Sequence, residues 1–215
     1  MTQERSLPRA TLDALGGVPR FLRAPFHRRR HLRWGATDAE VADHMPGDEL
    51  VPRASFEATR AITIDAPPEA VWPWIVQMGY RRAGFYTYAL LDNAGYDSAD
   101  TVLEEYQHPR VGDWMPMASK VSETTAFRVA AFATDEWLLW SKPDSTWSWT
   151  LTALAGGRTR LVTRLKQRYP WESPGTAVFT LVLLELGDFP MMRRMLTGIK
   201  ERAERLAKGG WTRVP

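Results

Sequence analysis

Five short segments between residues 112 and 169 alternate apolar and polar side chains, the pattern of strands in an antiparallel sheet. We place these strands near 112–117, 125–133, 136–142, 146–154 and 159–169. Trp147, Trp149 and Leu151 fall on the same face of one strand, whereas threonines and serines occupy the other face. A sheet with one apolar face must cover that face with another element. This requirement constrains the fold more than any other feature of the chain.

A further strand is predicted at residues 56–64, where Phe56, Ala58, Arg60, Ile62 and Ile64 share one buried face. The other face of this strand is expected to remain open to solvent.

Prolines then switch the chain from strand to helix. Pro68 suits the first turn of a helix, and Glu69 suits its positive N-terminal end. We predict a helix over 68–78 that bends at Pro73, followed by a second short helix over 84–94.

The C-terminal part is predicted to form two helices. From Phe189 to Leu206 apolar residues recur at a spacing of three or four, which indicates a long amphipathic helix. Asp188 is a natural N-cap and Pro190 suits an early position, so we predict that this helix begins there. The apolar block at 176–186 is predicted to be a separate buried helix, because a membrane span needs about 20 apolar residues.

Composition excludes several classes of site. The chain has no cysteine, so disulfides, thiolate metal sites and cysteine nucleophiles are absent, and a reducing cytoplasmic location is expected. His27 and His31 have the spacing of metal ligands, but three arginines separate them and would repel a cation. We therefore predict no metal and no cofactor.

Positive charge is concentrated at the N-terminus. Residues 1–35 contain eight arginines and two acidic residues, a net charge of +6, whereas the remaining 20 basic and 23 acidic residues sum to −3. We predict a basic arm over 1–49 with short helices near 9–15 and 37–43, and one domain over 50–215. Because the body is not basic, nucleic-acid binding is not expected. The arm either folds over the body through Leu12, Leu15, Phe21, Leu22 and Phe26 or contacts an anionic membrane surface.

Five stretches carry a resemblance to a known superfamily. They are TRAITIDAPPEAVWPWIVQMG at 59–79, GFYTYALLDNAG at 84–95, VGDW at 111–114, TRLVTRLKQRY at 159–169 and GDFPMMRRMLTGIKERAE at 187–204. The sequence resembles the START/Bet v 1-like (SRPBCC) superfamily, in particular bacterial polyketide-cyclase/lipid-transport-like proteins. The resemblance implies an α+β helix-grip fold, in which a curved antiparallel sheet wraps around a long C-terminal helix. Two short helices follow the first strand.

A helix grip leaves a cavity between sheet and helix wherever side chains do not fill it. The ten tryptophans of the chain suit either an aromatic core or the wall of such a cavity. The residues predicted to line a ligand pocket come from both short helices, the sheet and the last helix. They are Ile62, Trp74, Ile75, Met78, Phe85, Tyr86, Tyr88, Leu91, Trp140, Trp147, Trp149, Met192, Met195 and Leu196.

Few polar residues are candidates for chemistry. Arg60 is in phase with the buried face of its strand and needs a partner, either a ligand carboxylate or one of Asp92, Glu104 and Glu105. Tyr86 and Tyr88 are candidates to hydrogen-bond a ligand carbonyl, and His108 is a candidate acid or base.

The sequence shows no nucleophile–base pair and no carboxylate pair at a fixed spacing. We therefore favour binding of a small hydrophobic or amphipathic molecule without chemistry. Two alternatives stay open: a cyclase or dehydratase acting on a polyketide-like substrate, and a lipid-exchange module that docks on anionic membranes through the arm. The oligomeric state is not predicted.

Overall fold

The computed structural model describes residues 28–169 and 171–209 of the chain. Within them, six strands form one antiparallel sheet in the order β1-β6-β5-β4-β3-β2. The strands are β1 (Phe56–Ile64), β2 (Trp114–Pro116), β3 (Ala126–Ala133), β4 (Trp137–Lys142), β5 (Ser145–Leu154) and β6 (Arg158–Gln167). The helices are α1 (Arg28–Leu32), α2 (Asp38–Ala42), α3 (Pro68–Val76), α4 (Ala89–Asp92), α5 (Pro174–Val182) and α6 (Phe189–Lys208). Short 3-10 turns occur at Asp48–Leu50 and Glu104–Tyr106.

The sheet wraps around α6, and this architecture is the helix-grip fold that the sequence predicted. A register shift between Val129 and Ala131 interrupts the pairing of β3 with β4, and such bulges increase the twist of a sheet. The inner face packs on α3 and on the apolar stripe of α6, where Leu196 and Ile199 are fully buried. The elements therefore enclose one continuous apolar core.

The proline switch forms as predicted. Pro67 has the extended backbone of an N-cap residue, with ψ at 161°, and Pro68 occupies the first turn of α3. The helix ends at Val76, two residues earlier than expected. Pro73 lies inside it.

The predicted second short helix over 84–94 is shortened to the four residues of α4. Gly84 and Tyr86 have φ values of +72° and +59°, which a right-handed helix cannot contain. The backbone N–H of Tyr86 instead donates to Ser98 Oγ at 2.9 Å. Residues 84–88 therefore form a buried, irregular connection rather than a helical turn.

The prediction that one face of β1 is open to solvent is wrong. Thr59 and Ala61 on that face are 2% and 1% exposed, because residues 28–51 lie across it. Arg164 of β6 fixes this segment by donating to the carbonyl oxygens of Glu40, Val41 and Asp43. The helix predicted near 37–43 is present as α2, and Thr37 caps it with a capping box. The helix predicted near 9–15 and the five apolar residues of the arm lie outside the described residues.

The prediction that Asp188 caps the last helix is also wrong. Asp188 has helical dihedral angles, φ −58° and ψ −50°, and its side chain does not cap the helix. Helical structure continues from α5 through a π-helical stretch at Leu183–Asp188 into α6. The extra width of this π-turn lies where the Asp188 side chain turns toward β1 to meet Arg60. No helix in the described part of the chain is long and apolar enough to cross a membrane.

Candidate functional site

Most of the residues predicted to line a pocket converge in the core. Ile62 packs against the central apolar cluster, Tyr88 is buried outside it, and Leu91 lies apart from it with 52% of its surface exposed. The members of the cluster are Trp74, Ile75, Met78, Phe85, Tyr86, Trp140, Trp147, Trp149, Met192, Met195 and Leu196.

Three tryptophans form the aromatic centre of this cluster. Trp140 meets Trp147 and Trp149 edge-on, with ring centroids 5.5 and 5.7 Å apart. Trp147 Nε1 donates to Thr163 Oγ1 at 2.9 Å, whereas Trp149 Nε1 is buried without an acceptor among the described residues. Trp74 Nε1 is likewise buried and has no acceptor among the described residues. A buried donor without a partner costs about 1–3 kcal/mol, so these two N–H groups favour a neighbouring acceptor.

A cleft of about 240 Å³ opens between the end of α3 and the inner face of β3 and β4. Its apolar floor consists of Val76, Val129, Leu138 and Trp140. Its rim is more polar and comes from the turn after α3, from the connection before β2 and from the start of β2. The rim residues are Arg82, Glu105, Tyr106, His108, Pro109, Asp113 and Trp114.

Arg82 is the positive charge in this cleft. Its Nη atoms donate to the carbonyl oxygens of Trp114 and Val76 at 3.2 and 3.0 Å, and its Cζ lies 4.3 Å from the centroid of the Tyr106 ring. Its Nε is buried and has no acceptor within the described residues. Asp113 acts on Arg82 electrostatically, but no described carboxylate forms an ion pair with it, and burial lowers the pKa of the guanidinium. Arg82 is therefore a partly desolvated cation that no described carboxylate contacts directly.

The predicted ligand donor Tyr86 is already used by the protein. Its hydroxyl donates to the Trp74 carbonyl and accepts from Gln77 Nε2, both at 3.0 Å. Burial raises the pKa of Tyr86, which keeps the phenol neutral. Tyr88 is buried, with Arg194 Cζ 4.5 Å from its ring centroid. Neither tyrosine lines the cleft.

Arg60 points inward as predicted, but the predicted partners Asp92, Glu104 and Glu105 are wrong. Its Nη2 forms a buried ion pair with Asp188, and its Nε donates to the carbonyl of His31 at 2.8 Å. Arg60 and Asp188 are 128 residues apart, and no local spacing relates them.

His108 is the only one of the four catalytic candidates that lines the cleft. Its side chain is 83% exposed and lies 3.5 Å from Glu104. Sequence reasoning missed Arg82, since an arginine in an irregular loop has no periodic signal. Among the described residues, no group of three or more metal-ligating side chains is close enough to hold an ion.

No family model and no curated protein matches the sequence. The chain is similar to several solved structures. One is a polyketide-cyclase-like protein from Corynebacterium glutamicum, which is 15% identical, with a TM-score of 0.42 over 74% of this chain and 97% of that one. A protein from Mesorhizobium loti is 14% identical, with a TM-score of 0.42 over 70% and 98% of the two chains. One from Thermobifida fusca is 16% identical, with a TM-score of 0.43 over 70% and 94%.

The strand order and the long helix of this chain themselves confirm the predicted resemblance at the level of the fold. Similarity as low as that of these neighbours assigns no activity to the chain.

Proposed function

We propose that the protein binds a small amphipathic molecule in the cleft beside Arg82 and carries out no chemistry on it. The ligand class is an apolar ring system that carries an anionic or carbonyl oxygen. The observation that supports this proposal is Arg82, a partly buried cation that forms no ion pair with any described carboxylate and borders an apolar floor.

The free energy of an unpaired cation argues for an anionic group on the ligand. A desolvated charge is costly without a partner, and a charge-assisted hydrogen bond to a carboxylate offsets this cost. Two of the five N–H donors of Arg82 have protein acceptors, which leaves donors for a ligand oxygen.

The size of the cleft limits the apolar part of the ligand. A cavity of about 150 Å³ holds benzene. A cleft of about 240 Å³ therefore suits a molecule of about two fused rings. Trp140 and Leu138 supply the apolar contact.

The described lining favours binding over catalysis. It contains no serine, threonine or lysine, and its histidine and its two carboxylates, Glu105 and Asp113, are exposed to solvent. General acid–base catalysis needs a group held in fixed geometry against the reacting atoms, and an exposed side chain is poorly held.

Calorimetric titration with 2-naphthoate tests the proposal. We expect binding to the wild-type protein, and an affinity about tenfold or more lower for Arg82→Gln, because a hydrogen bond to a charged group contributes about 1.5–3 kcal/mol. The methyl ester of the same acid should bind more weakly to the wild type. Arg81→Gln is the matched control, since Arg81 is exposed and stacks on Tyr96 outside the cleft.

Equal affinity of the wild type and Arg82→Gln for 2-naphthoate would contradict the role of Arg82. Native mass spectrometry of protein purified from its host then tests binding in general, through the mass of a co-purifying small molecule.

A further inference from the structure

The outer face of α5 leaves apolar side chains in solvent. Val178 and Val182 are 54% and 46% exposed, and Trp171 just before the helix is 57% exposed. The two valines are four residues apart and therefore lie on one face of the helix. We call these three residues the apolar strip. The opposite side of α5 is buried, since Ala177 packs with Phe56 of β1.

Arginines lie next to the end of the apolar strip. Glu185, three residues beyond Val182, binds Arg28 Nε at 2.8 Å. Arg28 is the first residue of α1, where Arg29 and Arg30 follow with exposed side chains. Helix α1 is held beside α5 by Leu32, which packs against the same small cluster as Ala177.

We propose that the apolar strip and the arginines of α1 form a docking surface for an anionic lipid bilayer. Tryptophan and aliphatic side chains insert at the headgroup level of a membrane, and neighbouring arginines bind lipid phosphates. The charge distribution agrees with this partner, because residues 1–35 carry a net charge of +6 and the rest of the chain carries −3. An exposed apolar patch of this kind lowers the solubility of a protein. Contact with a bilayer would bury the patch.

This surface is separate from the ligand cleft. Helix α5 packs on β1 at one edge of the sheet, whereas the cleft lies over β3 and β4 toward the other edge. A failure of membrane docking therefore leaves the proposed ligand binding unaffected, and the reverse is also true.

Co-sedimentation of the full chain with vesicles tests the proposal. We expect binding to vesicles of phosphatidylcholine mixed with phosphatidylglycerol, weaker binding to phosphatidylcholine alone, and a loss of affinity as salt rises. Val178→Asp with Val182→Asp should lower the partition coefficient about tenfold or more. Arg29→Gln with Arg30→Gln should lower it about tenfold, through the loss of two lipid-binding charges.

Val111→Asp with Val121→Asp is the matched control, because these valines are 68% and 44% exposed and flank β2, away from α5. Unfolding midpoints in urea establish that each variant is folded. Trp171→Ala is a second, independent variant of the apolar strip. Equal vesicle binding by the strip variants and by the control pair would overturn the proposal, as would no binding by the wild type.

The apolar strip has two possible occupants, a membrane and the chain's own N-terminal segment, and variants of a third set of residues distinguish them. Leu12, Leu15, Phe21, Leu22 and Phe26 directly precede α1 in the sequence and could cover the strip instead. If a full chain with serine at all five positions binds vesicles more tightly than the wild type, this segment occupies the strip in the wild-type chain, and the proposal that the wild-type strip is open to the membrane fails. Unchanged or weaker binding supports the membrane as the partner.

Discussion

Arg60 is the most deeply buried charged residue described, with 1% of its surface exposed. Its charge is balanced by Asp188 across the junction of β1 with the π-turn. A buried pair of this kind contributes little net stability compared with apolar residues, but removal of one partner leaves a buried charge without compensation.

We therefore expect Asp188→Ala to lower the free energy of unfolding by about 3–5 kcal/mol. The double variant Arg60→Met with Asp188→Leu should recover most of this loss, because it buries no charge. Urea denaturation at neutral pH measures both. A loss below about 1 kcal/mol for Asp188→Ala, the size of an exposed pair, would show that Arg60 finds solvent or another partner.

Asp92 is a second residue whose charge depends on burial. Burial raises the pKa of Asp92 from 3.8 to about 6, although Thr87 donates to its Oδ2 at 2.5 Å. The folded chain thus binds this proton more tightly than the unfolded chain. The stabilising contribution is complete below pH 3.8 and is lost as the pH rises through about 6.

Asp92→Asn removes this titration. We expect the variant to gain stability relative to the wild type as the pH rises from 4 to 7, measured as urea midpoints across that range. Asp97→Asn, at an exposed position in the connection that follows α4, is the control and should show no such gain. Parallel pH profiles of the wild type and Asp92→Asn would contradict the raised pKa.

At the scale of elements, α6 approaches the 84–88 connection more closely than a side chain allows. A Cβ atom on Gly198 would lie 2.8 Å from Tyr86 Cβ and 2.9 Å from its carbonyl oxygen. Gly198→Ala should therefore destabilise the protein by about 1–3 kcal/mol through overpacking, despite the higher helix propensity of alanine.

Gly175 in α5 is the matched control, because a Cβ there has no atom within 4 Å. Gly175→Ala should be neutral or stabilising by up to about 1 kcal/mol. Thermal and urea unfolding of the two variants measure the difference, and equal stabilities would mean that α6 shifts away from Tyr86 without cost.

At the scale of the whole molecule, other elements cover the inner face of the sheet and part of its outer face. Helix α6 and α3 cover the inner face, and residues 28–51 cover the outer face at β1 and β6. Arg164 connects that segment to the sheet. It donates to Thr59 Oγ1 at 2.8 Å, to three carbonyl oxygens of the segment, and to Asp48 at 2.5 Å.

A lysine has a single nitrogen and cannot reach these acceptors together. Arg164→Lys keeps the positive charge but leaves buried acceptors without a donor, so it should lower the free energy of unfolding by about 1–3 kcal/mol. Amide hydrogen exchange of residues 38–50 should accelerate before that of the sheet. Arg158→Lys, on the exposed end of the same strand, is the control. Unchanged protection of the segment would show that apolar contacts alone hold it.

The sequence by itself determined the strands and the start of α3. The bounds of β1 were predicted to the residue, because alternation and the Pro67–Pro68 pair are both local signals. The grip of the sheet on a long helix followed from the need to cover one apolar face.

The tertiary structure alone decided the pairing of distant residues. Asp188 has the local pattern of an N-cap, yet the nearby charge of Arg60 draws its side chain into the core, and the helix continues through it. Arg82 became a site candidate only where folding placed an irregular loop against the sheet. The physical reason is that periodicity and capping act within a few residues, whereas the cost of a buried charge depends on which distant groups the fold brings beside it.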